Sequence, residues 1–225
     1  MISTQTRGVG RNRNLALSYA NADICLFADD DVCSRDDVEK LVTEEFEAHP
    51  DADVMIFHLE TDDAQRALQS YRTTRKCRAW ERKPWGSVRV AVRLSAVKRA
   101  NVWFTTLFGG GCVFPAGEDS IWIREAWKKG LRFYVSDKTI GKVSFDTSTW
   151  FTGYDEKLFF GKGAYCKAVH PVTYRIWLLY YLWRYAHKGE MKAKQKLRWM
   201  KIGAACYPRL MGYDEYCASM EEKRG

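Results

Sequence analysis

The chain of 225 residues contains no C-x-x-C pair, no internal repeat and no low-complexity stretch. Its seven cysteines, Cys25, Cys33, Cys77, Cys112, Cys166, Cys206 and Cys217, are scattered and odd in number. That argues against a disulfide framework or a zinc site and for a reducing, cytoplasmic setting. The longest strongly apolar run, Ile176 to Trp183, is far short of the ~20 residues a membrane-spanning helix needs. The N-terminus reads as lacking a secretory signal. Helix-turn-helix, zinc-finger and aromatic RNA-binding signatures are also missing, and the basic residues are spread along the chain. Nucleic acid is therefore not expected as a partner, despite a net charge of +8.

What is present is ordinary globular material: 46% hydrophobic residues, nine Trp and twelve Tyr, enough for a sizeable core. The excess of positive charge, with a pI near 9.1, favours anionic partners such as phosphorylated ligands or acidic lipid.

The most informative local pattern is Asp29-Asp30-Asp31, directly behind the apolar run Ile24-Cys25-Leu26-Phe27-Ala28. The run predicts a buried strand, and the aspartates the loop leaving its C-terminal end. Asp29 and Asp31 then form a D-x-D pair suited to a hard cation. Mg²⁺ and Mn²⁺ take oxygen ligands, commonly one or two carboxylates plus phosphate oxygens. The same residues also read as a solvated loop or a helix cap.

Along the chain, Arg7 to Ala20 predicts a loop and then a helix. Ser34 is the expected N-cap of a helix running to His49, where Pro50 marks the end. Val54 to Leu59 predicts a second buried strand, and the alternation suggests α/β with parallel pairing. Val88, Val90, Val92 and Leu94 alternate with Arg89 and Arg93, as in a strand with one wet face. A short helix is expected over Ser95 to Ala100. A further helix, Asp119 to Lys129, closes on Gly130, followed by a strand over Leu131 to Val135. From Pro171 the chain predicts two helices, one aromatic-faced (Tyr174, Trp177, Leu178, Tyr181, Leu182, Tyr185) and one basic (Lys192, Lys194, Lys196, Arg198, Lys201). Residues 1–169 are thus expected to form the α/β body and 170–225 a helical appendage. The appendage suits either an anionic membrane surface or packing onto the body.

Gly117-Glu118-Asp119 follows the glycine run Gly109-Gly110-Gly111 and opens a helix. Carboxylates there stabilise a helix N-terminus in any case. Paired with the upstream D-x-D, they also suit a base that takes a proton from an attacking hydroxyl.

In this order the motifs resemble the family-two sugar transferases of the glycosyltransferase-A fold, of the kind that build bacterial surface polysaccharides. The matching residues are Arg7-Gly8, Arg11-Asn12-Arg13-Asn14, Asp29-Asp30-Asp31-Val32, Gly109-Gly110-Gly111 and Gly117-Glu118-Asp119-Ser120. Ser148-Thr149-Trp150 and Lys162-Gly163-Ala164 continue the match, which runs from residue 1 to about 168. The resemblance implies an inverting transfer from a nucleotide-diphosphate sugar, a UDP-sugar first, to a glycan or lipid-linked hydroxyl. Asp29 and Asp31 would hold Mg²⁺ or Mn²⁺ on the donor diphosphate. Asp119 would be the general base, with Glu118 shaping the acceptor site. Arg11, Arg13, Asn14 and Asp29 would meet the donor, and Gly109, Gly110 and Gly111 would form an acceptor loop. Asp146 and His170 are candidate third ligands for the metal, and Trp122 and Trp150 candidate sugar platforms.

Compared with that family, the chain reads as missing most of the N-terminal nucleotide-binding half. The implied consequences are exposed sheet edge, self-association or a partner chain supplying the rest. The alternative function is a catalytically inactive fragment that serves as a scaffold.

Overall fold

The computed structural model describes residues 7–61, 68–78, 81, 85–143 and 153–222. The chain divides into two compact units. One comprises Arg13–Phe104 and Asp119–Thr149, and the other Met1–Asn12, Thr105–Glu118 and Trp150–Gly225.

The first unit is built on a mixed sheet. Its strands are β1 (Ile24–Leu26), β2 (Val32–Ser34), β3 (Val54–Thr61), β4 (Arg75–Lys76), β5 (Val90–Arg93) and β6 (Phe133–Val143), in the order β1-β5-β3-β6-β2 with β4 also on β6. Only β3 and β6 pair in parallel. The parallel neighbour expected for β1 is displaced by β5, which runs antiparallel between β1 and β3. Within the span of β3, Val54, Met55, Ile56, Phe57 and Leu59 have no exposed surface. Alternate side chains point to opposite faces of a strand, so both faces of this sheet are covered. Val54 and Ile56 join Trp122, Val97 and Phe104. Met55, Phe57 and Leu59 join Val42 and Phe46 of α2 (Val38–Ala48).

Several expectations change. Ser34 is not a helix cap but the end of β2, paired with Gly141. That pairing is close enough that a methyl group on Gly141 would overlap the Cys33 carbonyl. The helix starts later, at Val38, with Asp37 before it. The segment read as a half-wet strand begins as a 3₁₀ turn, Ser87–Arg89, and β5 is buried on both faces. Arg89 itself is only 2% exposed. It donates to the Gln69 carbonyl, and burial pushes its guanidinium down to about 10. Helices α3 (Leu94–Ala100) and α4 (Glu118–Lys128) form as expected, with Gly130 in the left-handed region after α4.

The other unit is helical: α5 (Glu156–Val169), α6 (Tyr174–Arg184), α7 (Ala193–Cys206) and α8 (Tyr213–Glu222). Asp155 caps α5 by accepting from the Leu158 N–H at 2.8 Å. Helices α5 and α7 touch backbone to backbone. A Cβ on Gly163 would overlap the Met200 carbonyl, and one on Gly203 the Phe160 carbonyl. Lys196, expected on a basic outer face, is fully buried. Its ammonium donates to the carbonyls of Tyr185, Ala186 and Lys188 at 2.9, 3.3 and 2.6 Å, closing the end of α6. The tail helices lie in the same compact unit as α5. No helix among the described residues is long and apolar enough to cross a membrane.

Candidate active site

Helix α1 (Val9–Tyr19) presents Arg13 to the strand-end loop after β1. One guanidinium nitrogen of Arg13 donates to Asp29 Oδ1 at 2.8 Å and the other to Asp119 Oδ1 at 2.9 Å. Asp29 is 16 residues away in sequence and Asp119 is 106 away. Arg13 is thus the clamp between the D-x-D loop and the first turn of α4. Its planar fork suits this task, because two separate nitrogens can serve two carboxylates at once. The group also lies 5.3 Å from the centre of the Phe104 ring. Side-chain exposures of 11% for Arg13, 23% for Asp29 and 26% for Asp119 put the ion triad between a surface pair and a buried one.

Asp119 is further fixed by the Ser87 N–H, which donates to Oδ2 at 3.1 Å. A carboxylate has roughly four acceptor positions, so two are left unfilled by these bonds. Asn14 lies one residue along from Arg13. Its amide donates to the Phe104 carbonyl at 2.9 Å and accepts from the Phe104 N–H at 2.7 Å. These two bonds hold the Phe104 backbone, whose ring lies against Arg13. Arg11 is exposed and makes no ion pair or hydrogen bond among the described residues.

Asp31 differs from both other site aspartates. Its Oδ1 is buried and has no hydrogen-bond partner. Burial, and then the charge of Asp29, hold its carboxyl above the usual range, with Asp30 adding to the effect. A carboxylate oxygen turned inward beside like charges is electrostatically incomplete, and a divalent cation would complete it. Among the described residues no three His, Cys, Asp or Glu side chains gather as a metal group. Two carboxylates are nonetheless enough where phosphate oxygens and water fill the remaining positions, so Asp29 and Asp31 fit Mg²⁺ or Mn²⁺.

In the helical unit, the glycine run forms a tight turn. Gly109 and Gly111 have positive φ (108° and 72°), the Gly110 carbonyl accepts from Val9 N–H at 3.0 Å, and Gly109 N–H donates to Phe114 at 2.9 Å. A side chain on Gly109 would meet Val9 and, at 2.9 Å, the Glu118 carboxyl carbon. Glu118 is buried and its Oε2 accepts from Gly117 N–H at 3.1 Å. Gly109 therefore makes room for Glu118. Lys162, in the same unit, is half-buried, and desolvation holds its ammonium below the ordinary lysine value. His170 stacks on Trp177, with ring centres 4.2 Å apart. Trp122 packs against Phe104 at 5.3 Å and is 1% exposed, so it is a core residue, not a sugar platform. Asp146 and the segment Ser148-Thr149-Trp150 lie outside the described residues.

The mixed sheet and its covering helices are similar to the glycosyltransferase-A fold. Residues 1–100 match the model for glycosyl transferase family 2. Among solved structures, S. aureus TarS 1–349 in complex with UDP-GlcNAc is similar with a TM-score of 0.58 at 16% identity, over 86% of this chain and 51% of that one. The same protein without a named ligand gives 0.54 at 16% identity over 92% and 54%, and in complex with UDP 0.53 at 17% over 84% and 48%. The chain thus spans about half the length of the structures it resembles. No curated protein matches it in sequence.

Proposed function

We propose that the chain carries the catalytic carboxylates of an inverting glycosyltransferase. It would move a sugar from a nucleotide-diphosphate donor, a UDP-sugar first, to a hydroxyl of a glycan or lipid-linked acceptor. The observation that carries this reading is the Arg13 clamp, which brings Asp29 and Asp119 within reach of one guanidinium. The family match over residues 1–100 and the likeness to a fold solved with UDP and UDP-GlcNAc support the choice of donor.

In this reading Asp29 and Asp31 would hold Mg²⁺ or Mn²⁺, which when bound would supply positive charge at the diphosphate. Asp119, oriented by Arg13 and by the Ser87 N–H, accepts the acceptor's hydroxyl proton. The new oxygen–carbon bond forms at the anomeric carbon as the bond to the diphosphate breaks, and that electron pair leaves with the diphosphate. Attack from the face opposite the leaving group inverts the anomeric centre. Arg13 stays on the protein side as the group that fixes the spacing of the two carboxylates. We place the reaction in the cytoplasm, a setting supported by seven free cysteines.

The test is titration calorimetry of UDP, then UDP-sugars, with and without Mn²⁺, on the wild type and Asp31→Asn. Mn²⁺-dependent binding that disappears in Asp31→Asn is expected. A folded wild type that binds no UDP in the presence of Mn²⁺ would refute the donor assignment. Asp119→Asn should keep donor binding and lose transfer.

A further inference from the structure

Helix α6, Tyr-Arg-Ile-Trp-Leu-Leu-Tyr-Tyr-Leu-Trp-Arg, is apolar nearly all round and contains no acidic residue. A helix of that kind is normally covered on every side. Here only one side is covered. Leu178 is buried, and Tyr181 and Tyr185 pack with it against Phe159 and Cys166. On the opposite side Ile176, Leu179, Tyr180 and Trp183 are 67, 58, 40 and 75% exposed, and Val172, just before the helix, is 88% exposed. At about 100° per residue these positions fall within roughly 60° of Ile176. Arg175 lies at about 100° on one flank of that stripe and Arg184 at about 80° on the other.

We propose that this face is a docking surface for anionic lipid, with α6 lying in the headgroup boundary. At 11 residues the helix is about 16 Å long, too short to span a bilayer of ~30 Å and suited to lying along it. Trp183 and Tyr180 have the amphipathic rings that settle at such a boundary. The charge is complementary as well. From Pro171 to Gly212 the one acidic residue is Glu190, while Arg175, Arg184, Lys188, Lys192, Lys194 and Arg198 are all exposed. A second copy is a poorer occupant. Face-to-face pairing would set arginine flanks against one another with no carboxylate on either helix to compensate.

The test is sedimentation of the whole chain with vesicles of phosphatidylcholine alone and of phosphatidylcholine and phosphatidylglycerol in equal parts. The expected result is binding to the anionic vesicles at least about tenfold stronger than to the neutral ones, weakened by salt. Ile176→Ser with Trp183→Ser, and separately Arg175→Glu with Arg184→Glu, should each reduce it about tenfold or more. All four side chains are exposed, so the variants should keep the wild-type circular dichroism and melting temperature. A folded wild type left in solution with both vesicle types would overturn the proposal. So would binding that the Ile176/Trp183 pair does not alter, or a concentration-dependent dimer without vesicles that this pair abolishes. No donor or acceptor is involved, so failure here leaves the transferase reading standing.

Discussion

Removing Arg13 tests the clamp directly. Arg13→Ala deletes two charge-assisted bonds of 2.8 and 2.9 Å and the guanidinium next to the Phe104 ring. It leaves Asp29 facing Asp31 with no positive charge between the D-x-D loop and Asp119. Exposed ion pairs contribute ~0–1 kcal/mol, whereas breaking a buried pair costs ~3–5 kcal/mol. With one partner 11% exposed and the others 23% and 26%, the loss should fall between these limits, at about 2–3 kcal/mol. For a chain of this size that corresponds to a melting temperature lower by roughly 4–12 °C. Arg13→Lys should recover less than half, since one ammonium replaces two separately directed nitrogens. Adding Asp29→Asn to Arg13→Ala removes one of the two carboxylates that lose their partner, so the double variant should melt above the single one. Calorimetric melts at neutral pH and moderate salt would decide the matter. A melting temperature for Arg13→Ala within about 1 °C of wild type, or no recovery in the double variant, would show that the clamp contributes little and would remove its support for the site.

Other consequences can be checked in the same way. Asp31→Asn removes a charge that burial and Asp29 disfavour, so the metal-free protein should be unchanged or stabilised by up to ~1 kcal/mol. The same change should abolish the Mn²⁺-induced rise in melting temperature, which in the wild type corresponds to ~2.7 kcal/mol at a hundredfold excess over Kd. Burial alone would raise the Asp53 carboxyl, but the bonds and charge of Arg132 outweigh it and hold the group below the usual carboxylate range. Its contribution is present above that range and is lost as the pH falls through the lowered value; Asp53→Asn should therefore cost ~1–3 kcal/mol at neutral pH and converge with wild type in acid melts. Gly163→Ala sets a methyl group against the Met200 carbonyl and should cost at least ~1–3 kcal/mol, read by denaturant midpoint. Lys196→Met leaves the Tyr185, Ala186 and Lys188 carbonyls without their shared donor and should destabilise by ~2–4 kcal/mol, read by the same midpoint.

Much of the fold was legible because its signals are local. An apolar run ending in three aspartates marks a strand and its exit loop, Pro50 ends α2, and Gly130 ends α4 through a left-handed residue. The failures share a different cause. Ser34 is chemically a good helix cap, but β6 offers a strand partner at Gly141 that no local pattern reveals. Arg89 and Lys196 look like solvent-facing charges in any periodicity. They are buried because a backbone carbonyl from another segment meets each of them. Trp122 was open to two readings until the core around Phe27 and Phe104 closed over it.

The site divides along the same line. Asp29, Asp31 and Asp119 are candidates in the sequence because they lie behind an apolar run and at a helix start. Arg13 could not be given its role, since its partners lie 16 and 106 residues away and its own helix looks like an exposed basic face. Yet Arg13 is what turns two separate acidic motifs into one arrangement. A D-x-D loop alone is an anionic patch, and an Asp at a helix N-terminus alone is a cap. A guanidinium shared between them keeps the carboxylates at a fixed spacing while leaving Asp31 without a counter-charge. In the proposed reading, a cation held by Asp29 and Asp31 would bring the positive charge that is missing beside Asp31.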